Sequence, residues 1–362
     1  MDISNLETLG WSPELTEAFA PYAAEGLVPA RVSARHRSGY LVFTAPGEIP
    51  AEVSGKMRHE AEVSGFPAVG DWVAARLDGG RARIEAILPR RSVFERSGAD
   101  PTRPGSAATV EVVAANVDVV FIVTGALDDL NLRRLERYLA AAWESGAQPT
   151  VVVTKVDLVE DPDSLIALVQ AVSPGAPVLA VSNVTGEGVE SVRALIGPGC
   201  TAAFLGSSGV GKSSLVNRLL GHDRQAVAGV RADGRGRHTT TSRELLPLAS
   251  GGLVLDTPGM RLITPTDDAG LEAAFSDVET LARACRFTDC THAGEPGCAV
   301  GAAVQQGLLA RERVEGWRKL GRELAHTVTK DDPTALAERR RKWKVIHKAN
   351  RNRDRARWSK LE

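Results

Sequence analysis

A glycine-rich segment that ends in lysine and serine offers the clearest chemistry in the chain. Residues 206–213 follow the pattern Gly-x-x-x-x-Gly-Lys-Ser, after an apolar run and before helical spacing. Backbone N–H groups of such a turn can surround phosphate oxygens, while the lysine neutralises phosphate charge and the serine hydroxyl ligates Mg²⁺. A plain glycine turn with a solvated lysine is the alternative, and the flanking strand and helix patterns disfavour it. The predicted phosphate-binding residues are Gly206, Ser207, Ser208, Gly209, Val210, Gly211, Lys212, Ser213 and Ser214, with Ser213 also a magnesium ligand.

A second phosphate-side element follows a buried-strand pattern and has the sequence Asp-Thr-Pro-Gly. Asp256, at the end of that predicted strand, can hold Mg²⁺ through water, and the Gly259 N–H can contact a γ-phosphate. Between the two elements, residues 234–241 are rich in glycine and arginine and have no helix or strand period. We expect this segment to become ordered around the γ-phosphate and Mg²⁺. Thr240 or Thr239 would supply a hydroxyl ligand to Mg²⁺, and the sequence leaves both open.

The base of the nucleotide has to be identified from other segments, because phosphate loops of this kind bind both ATP and GTP. Residues 154–157, Thr-Lys-Val-Asp, end a predicted strand and resemble the guanine-binding motif Asn-Lys-x-Asp. The Asp157 carboxylate can accept from N1–H and the N2 amino group of guanine together, a donor pair that adenine lacks. Thr154 in place of asparagine loses an amide, which leaves the bonding of this loop open. The predicted base contacts are Thr154, Lys155, Val156, Asp157, Ser182 and Asn183, the last two after the next predicted strand.

These motifs require a parallel sheet whose strands end at one edge. From residue 117 to residue 220, apolar runs alternate with helical spacing, which is typical of a parallel α/β sheet covered on both faces. The base motifs precede the phosphate loop, the switch segment and Asp-Thr-Pro-Gly, an order that indicates a circularly permuted P-loop domain. Residues 27–96 instead show short β-rich pieces between glycines and prolines, which predict an all-β barrel of the OB type.

The chain therefore divides into three predicted domains. Residues 1–98 comprise an N-terminal extension and the OB barrel, residues 99–265 the permuted α/β domain, and residues 266–362 a mainly helical domain. In the last domain, helical spacing extends over residues 302–324.

Three cysteines and one histidine lie close together in the C-terminal domain. Their spacing is Cys-x4-Cys-x-His-x5-Cys, and glycines and a proline allow tight turns among them. Three thiolates and one imidazole form the ligand set of a closed, tetrahedral structural zinc site, with no open position for metal catalysis. Ordinary core thiols are the alternative, and in a reducing compartment disulfides are disfavoured. The predicted ligands of one structural Zn²⁺ are Cys285, Cys290, His292 and Cys298.

The charge is divided unevenly along the chain. The net charge is -1, yet residues 339–362 carry 11 Lys or Arg against 2 acidic residues. Tryptophans interrupt this basic tail, a pattern that suits neutralisation of phosphates and stacking on unpaired bases, with a merely solvated tail as the competing interpretation. Arg31, Arg35, His36 and Arg37 form a second candidate nucleic-acid surface on a barrel strand, with a solvated strand edge equally consistent.

The composition is that of an ordinary folded protein, with 43% hydrophobic and 25% charged residues. The first residues are acidic, unlike a secretory signal, and no stretch approaches the roughly 18 apolar residues that a membrane span needs. We therefore expect a cytoplasmic protein with no membrane partner.

In its motifs and their permuted order, the chain resembles the ribosome small subunit-dependent GTPase A family of bacteria. The motifs are Thr-Lys-Val-Asp, Gly-Ser-Ser-Gly-Val-Gly-Lys-Ser-Ser, Gly-Arg-Gly-Arg-His-Thr-Thr and Asp-Thr-Pro-Gly. The resemblance covers nearly the whole chain. It implies an OB barrel, a permuted GTPase domain and a zinc domain, and a monomer that hydrolyses GTP with Mg²⁺. It further implies binding to the small (30S) ribosomal subunit and its 16S rRNA during late maturation, with stimulation of hydrolysis by that subunit.

The attacking water needs a group to orient it, and Met260 stands where Ras-like proteins place a glutamine. The resemblance and the chemistry of an imidazole in the switch segment both point to His238 as the catalytic residue. The alternative makes His238 one more RNA-facing residue of a basic loop.

Two other functions compete with a ribosome-linked GTPase. A P-loop kinase for a small metabolite is opposed by the Thr-Lys-Val-Asp motif. A DNA-binding zinc protein that uses GTP only as a fold ligand would show no selective stimulation by small subunits.

Overall fold

The chain folds as a five-stranded barrel, a mixed α/β layer structure and a set of C-terminal helices, which confirms the predicted fold class. The computed structural model describes residues 4–36, 39–60, 65–98, 109–127, 129–221, 243–256 and 268–331. The N-terminal elements are α1 (Ser4–Glu7), α2 (Pro13–Ala24), β1 (Val28–His36), β2 (Gly39–Thr44), β3 (Gly47–Val53), α3 (Gly55–Glu60), β4 (Trp72–Asp78) and β5 (Arg81–Ile87).

The central part begins with a hairpin and continues with alternating strands and helices. Its elements are β6 (Val93–Gly98), β7 (Thr109–Ala115), β8 (Val119–Gly125), α4 (Leu132–Glu144), β9 (Gln148–Thr154), α5 (Pro162–Ala171), β10 (Val178–Val181), α6 (Val189–Ala194), β11 (Thr201–Leu205), α7 (Lys212–Leu220), β12 (Arg243–Pro247) and β13 (Leu253–Asp256). The C-terminal helices are α8 (Asp268–Ala274), α9 (Ser276–Ala282), α10 (Ala299–Gln305) and α11 (Arg311–Asp331).

The barrel closes because each of its five strands pairs with two others, in the cyclic order β1, β2, β3, β5, β4. Only the β3–β5 pair is parallel. Small and β-branched side chains such as Val32, Val42 and Ile84 fill the interior. Strand β3 contains Pro50, which interrupts the strand pattern in its sequence. Outside the barrel, Trp11 and Phe19 from the N-terminal extension pack with Trp72 of β4, with the two tryptophan rings 4.8 Å apart.

The central sheet has the strand order β10-β9-β8-β11-β13-β12. Neighbouring strands are parallel except for β12, which is antiparallel to β13. Helices α4 and α5 cover one face and helices α6 and α7 the other, each over its own apolar core. A parallel sheet covered on both faces explains why its strands are continuous apolar runs in the sequence.

The barrel and the central sheet are hydrogen-bonded to each other through one strand pair. The end of β1 pairs with the start of β12, with Ala34 opposite Glu244 and Arg35 opposite Arg243. On the hairpin, Glu111 accepts from both arginines, at 3.4 Å from Arg35 and 3.2 Å from Arg243. The strands of the barrel therefore continue directly into those of the central sheet.

Arg31 is not an exposed nucleic-acid contact, contrary to one of the interpretations above. Its side chain is fully buried, and its N–H groups donate to the carbonyls of Leu9, Gly70 and Asn116 and to the Thr201 hydroxyl. Burial lowers the pKa of Arg31 to about 10. This arginine joins the N-terminal extension, the barrel and the central sheet.

The C-terminal helices pack against α4, where two close contacts fix them. The chain at Gly270 approaches α4 so closely that an added Cβ would lie 2.3 Å from the Ala140 carbonyl oxygen. Arg313 of α11 is 3% exposed and donates to Glu136 of α4 at 2.9 Å and to Asp277 of α9 at 2.9 Å. The predicted helical stretch over residues 302–324 is two helices, because the chain turns at Gly307, whose φ is +71°.

No helix within the described ranges has the length and hydropathy that crossing a bilayer requires.

Candidate functional site

The carboxyl ends of four parallel strands bring the predicted nucleotide motifs to one edge of the central sheet. Strand β9 ends at Thr154, β10 at Val181, β11 at Leu205 and β13 at Asp256. Because these strands are parallel, the base motifs after β9 and β10 and the phosphate loop after β11 leave the sheet at the same edge, where open α/β sheets bind ligands.

The phosphate loop has the backbone that its glycines predict. Gly206, Gly209 and Gly211 have φ values of +143°, +79° and +95°, a region that favours glycine. A Cβ at Gly206 would also lie 2.2 Å from the Val123 carbonyl oxygen. Helix α7 begins at Lys212, so the N–H groups of its first turn face the loop. The geometry is that of an anion-binding turn.

The side chains of the phosphate loop are arranged around its mouth. The Lys212 Nζ donates to the carbonyls of Gly206 (2.8 Å) and Ser207, which holds the ammonium group across the loop. Val210 is buried and anchors the turn. The loop has four exposed or half-buried serines: Ser207, Ser208, Ser213 and Ser214.

The first base motif is anchored by two buried residues and presents an exposed carboxylate. Lys155 adopts the left-handed conformation with φ +62°, uncommon for a non-glycine residue, and begins a 3₁₀ turn over Val156–Leu158. Within it Val156 is buried, while Asp157 is exposed. Thr154 is fully buried, and its Oγ1 lies 2.5 Å from the Val210 carbonyl oxygen, to which it donates. The threonine therefore ties the base motif to the phosphate loop.

The second base motif makes a parallel connection. The Asn183 Nδ2 donates to the Gly211 carbonyl at 3.0 Å, directly beside the carbonyl that Thr154 uses. Ser182 is fully buried, and its Oγ accepts from the N–H groups of Val184 (3.2 Å) and Thr185 (3.1 Å). Two consecutive carbonyls of the phosphate loop are thus bonded to the two base motifs.

The structure brings together part of the predicted set. The base motifs and the phosphate loop lie at one edge, and the backbone of Asp256 ends the neighbouring strand β13. His238, Thr239, Thr240 and Gly259 lie outside the described residues.

The four predicted metal ligands lie in one cluster. The ligand atoms of Cys285, Cys290, His292 and Cys298 all lie within 4.8 Å of one another. The His292 Nδ1 is 3.5 Å from the sulfurs of Cys285 and Cys298, which are themselves 4.0 Å apart. Four ligands about 2.0–2.3 Å from a tetrahedral ion would be separated by about 3.5–3.8 Å. The residues therefore fit a tetrahedral metal ion.

Backbone N–H groups and one carboxylate support this cluster. The N–H groups of Ala299 and Gly301 donate to the sulfurs of Cys285 (3.3 Å) and Cys298 (3.2 Å). Glu295 accepts from the N–H groups of Thr291 (3.0 Å) and Ala293 (2.7 Å). These bonds, with the Thr291 hydroxyl as the largest cause, lower the pKa of Glu295 to about 2. Sequence reasoning did not identify Glu295, which closes the loop between the ligands.

Sequence comparison matches residues 87–264 to the RsgA GTPase family. A protein of Opitutus terrae named small ribosomal subunit biogenesis GTPase RsgA is 44% identical, over 98% of this chain and 99% of that protein. A protein of the same name from Streptomyces coelicolor is 45% identical, over 94% of this chain and 92% of its own length.

Solved structures show the same fold. The crystal structure of YjeQ from Thermotoga maritima has a TM-score of 0.63 and 27% identity, covering 83% of this chain and 99% of that one. The structure of YloQ, described as a circularly permuted GTPase, has a TM-score of 0.59 and 24% identity, covering 83% and 96% of the two chains, and shows likeness of fold. Because the sequence similarity extends over nearly its whole length, this chain belongs to the RsgA GTPase family.

Proposed function

We propose that this chain hydrolyses GTP to GDP and phosphate and acts in the biogenesis of the small (30S) ribosomal subunit, which stimulates the hydrolysis. One observation carries the nucleotide part of the proposal. Thr154 and Asn183, from two base motifs, bond to neighbouring carbonyls of the phosphate loop, so a base and its phosphates would be held by one connected unit.

Guanine is the base that this unit suits. The exposed Asp157 carboxylate accepts from N1–H and the N2 amino group, and Lys155 packs along the ring. No residue in the described part of the chain accepts a hydrogen bond from the backbone N–H of Asn183. That N–H is available to the O6 oxygen of guanine, where adenine has an amino group that cannot accept it.

The phosphates lie on the loop from Gly206 to Ser214. Lys212 exchanges its two backbone carbonyl contacts for phosphate oxygens. Ser213, Thr240 or Thr239, and Asp256 through water would hold Mg²⁺, which would supply positive charge to the phosphates. The Gly259 N–H contacts the γ-phosphate. His238 would orient the attacking water, as the resemblance and the chemistry of an imidazole imply, since Met260 stands in place of the usual glutamine.

The ribosomal part of the proposal rests on the relatives and on charge. The relatives from Opitutus terrae and Streptomyces coelicolor are named for small ribosomal subunit biogenesis. The basic tail of residues 339–362 provides charge for 16S rRNA, and one structural Zn²⁺ held by Cys285, Cys290, His292 and Cys298 supports the C-terminal domain. In this proposal the protein is a cytoplasmic monomer with domains over residues 1–98, 99–265 and 266–362.

The test measures GTP turnover by the full chain with small subunits, with large subunits and with duplex DNA. We expect stimulation by small subunits only. His238→Ala should retain GTP binding and lose the stimulated turnover. Equal stimulation by large subunits or DNA would contradict the ribosomal proposal, and unchanged turnover of His238→Ala would remove the role given to that residue.

A further inference from the structure

An arginine that no nucleotide motif contains links the phosphate-loop helix to the second base motif. Arg218 lies on α7, six residues after Lys212. Its Nε donates to the Asn183 carbonyl at 2.6 Å, and its Nη2 donates to the Val184 carbonyl at 2.9 Å. A planar guanidinium that binds two adjacent carbonyls fixes their relative orientation, which a single donor cannot do.

The backbone of residue 183 is consequently held on both sides. On one side, the fully buried Ser182 donates its N–H to the Glu187 carbonyl at 3.0 Å, and its Oγ accepts from the N–H groups of Val184 and Thr185. On the other side, Arg218 holds the carbonyls of Asn183 and Val184. The Asn183 side chain is bonded to the Gly211 carbonyl. Two groups of this residue are left over, the buried Asn183 Oδ1 and the Asn183 N–H, and the described residues provide no partner for either.

The end of the same loop at Gly188 is held by close backbone packing. A Cβ at Gly188 would lie 1.9 Å from the Ala180 carbonyl oxygen, so the loop returns tightly against β10 there. At Gly186, an added Cβ would meet the Arg218 Nη1 at 3.3 Å, so the guanidinium also packs along the middle of the loop. The contacts of Arg218 thus fall on residues 183–186, the part of the loop that begins with the residue bonded to the phosphate loop.

We propose that Arg218 is a positioning residue for guanine recognition, because it aims the Asn183 N–H at the O6 oxygen of the base. The inference rests on the proposed function, since it assumes that guanine binds at this edge. Arg218 itself touches no part of the nucleotide. Its effect is specific for the group at position 6 of the purine, whereas the N2 amino group is recognised independently by Asp157.

A merely structural role predicts something different. If Arg218 only strengthened the loop, its loss would weaken every purine nucleotide by the same factor. A positioning role predicts a selective loss, which can be measured with 6-thio-GTP. That nucleotide keeps N1–H and the N2 amino group but replaces O6 by sulfur, a weak acceptor.

The experiment measures equilibrium binding of GTP, 6-thio-GTP and ITP to the full chain and to Arg218→Ala. We expect the wild-type chain to bind GTP about threefold to tenfold more tightly than 6-thio-GTP, the contribution of one hydrogen bond. In Arg218→Ala this ratio falls to nearly one. The ratio of GTP to ITP stays unchanged, because ITP lacks only the N2 amino group that Asp157 recognises.

Arg193→Ala is the matched control. Arg193 also donates from a guanidinium to two backbone carbonyls, those of Leu219 (3.0 Å) and Arg218 (3.2 Å), but they lie at the end of α7 and not in the base motif. We expect its nucleotide ratios to equal those of the wild type. Arg218→Lys, which keeps one donor to the loop, should restore part of the GTP to 6-thio-GTP ratio and serves as the second variant if Arg218→Ala does not fold.

The outcomes separate this inference from the proposed function. Equal weakening of all three nucleotides by Arg218→Ala, or a wild-type chain that binds 6-thio-GTP as tightly as GTP, overturns the inference. ATP is titrated into the wild-type chain in the same way, and binding as tight as that of GTP overturns the proposed function instead.

Discussion

Replacing Thr154 by valine tests whether the link between the base motif and the phosphate loop matters for binding. Valine has nearly the same shape as threonine, so the change removes a hydroxyl without opening a cavity. The Val210 carbonyl, now 2.5 Å from the Thr154 hydroxyl, would lose its donor in a fully buried place. Leaving a buried polar group unsatisfied costs about 1–3 kcal/mol.

That energy should affect both stability and binding. The free energy of unfolding falls by about 1–2 kcal/mol, because the hydroxyl bond is present without nucleotide. The affinity for GTP also falls, since the nucleotide must then bring two loosened loops together, and a factor of ten corresponds to about 1.4 kcal/mol. We expect Thr154→Val to bind GTP about fivefold to tenfold more weakly by calorimetry. Thr154→Ser, which keeps the hydroxyl, should restore most of the affinity.

Ser173→Ala provides the control. Ser173 is fully buried and its Oγ donates to the Val169 carbonyl at 2.9 Å, but it lies between α5 and β10, at the edge of the sheet opposite the nucleotide motifs. This variant should lose somewhat less stability, because the Val169 carbonyl still accepts from the Val172 N–H, and it should bind GTP normally. If Thr154→Val loses stability but keeps the affinity of the wild type, the link has no role in binding and the reasoning is refuted.

Three further predictions concern other parts of the molecule. Arg31→Met leaves the carbonyls of Leu9 and Asn116 without their donor at the junction of barrel and sheet, while the Gly70 carbonyl keeps only the Asn116 amide. Chemical denaturation should therefore show a loss of at least about 3 kcal/mol, against less than about 1 kcal/mol for Arg35→Met in a half-exposed ion pair. Similar losses for both variants would contradict the account of Arg31. Metal analysis should find one zinc ion per chain. Cys298→Ala should lose the zinc, whereas the control Cys200→Ala should retain it. Zinc retained in both variants would exclude the proposed ligand set. Burial raises the pKa of the Cys200 thiol to about 11, so the reactive thiolate is scarce below that pH. The alkylation rate of Cys200, followed by mass spectrometry, should therefore keep rising about tenfold per pH unit through pH 10. A plateau of this rate near pH 9 would contradict the prediction.

Motifs whose chemistry lies within a few consecutive residues could be predicted from the sequence. The phosphate loop, the Asp157 motif and the cysteine cluster each depend on local spacing, and the structure gives each the backbone or the cluster that the spacing indicates. The alternation of apolar runs and helical spacing likewise predicted the covered parallel sheet. Such features need no knowledge of which distant segments meet.

Contacts between distant segments could not be predicted in the same way. Arg31 looks like part of a basic strand, because its partners at positions 9, 70, 116 and 201 are brought to it only by the fold. Arg218 looks like a solvated helix residue, and Arg313 like one of many charges on α11. Strand β3 is not evident in the sequence, because Pro50 interrupts its pattern. In each case the tertiary structure decides the environment, which composition and periodicity do not encode.

The central claim is that the Asp157 carboxylate recognises the guanine base while the loop from Gly206 to Ser214 holds the phosphates of the same nucleotide. It is tested most directly by calorimetric titration of GTP, ATP and XTP into the wild-type chain and into Asp157→Asn. The wild type should bind GTP far more tightly than ATP or XTP. Asp157→Asn should lose affinity for GTP and gain affinity for XTP, because an amide can donate to the O2 oxygen that xanthine has in place of the amino group. Equal binding of ATP and GTP by the wild type, or an unchanged preference in Asp157→Asn, would contradict the claim.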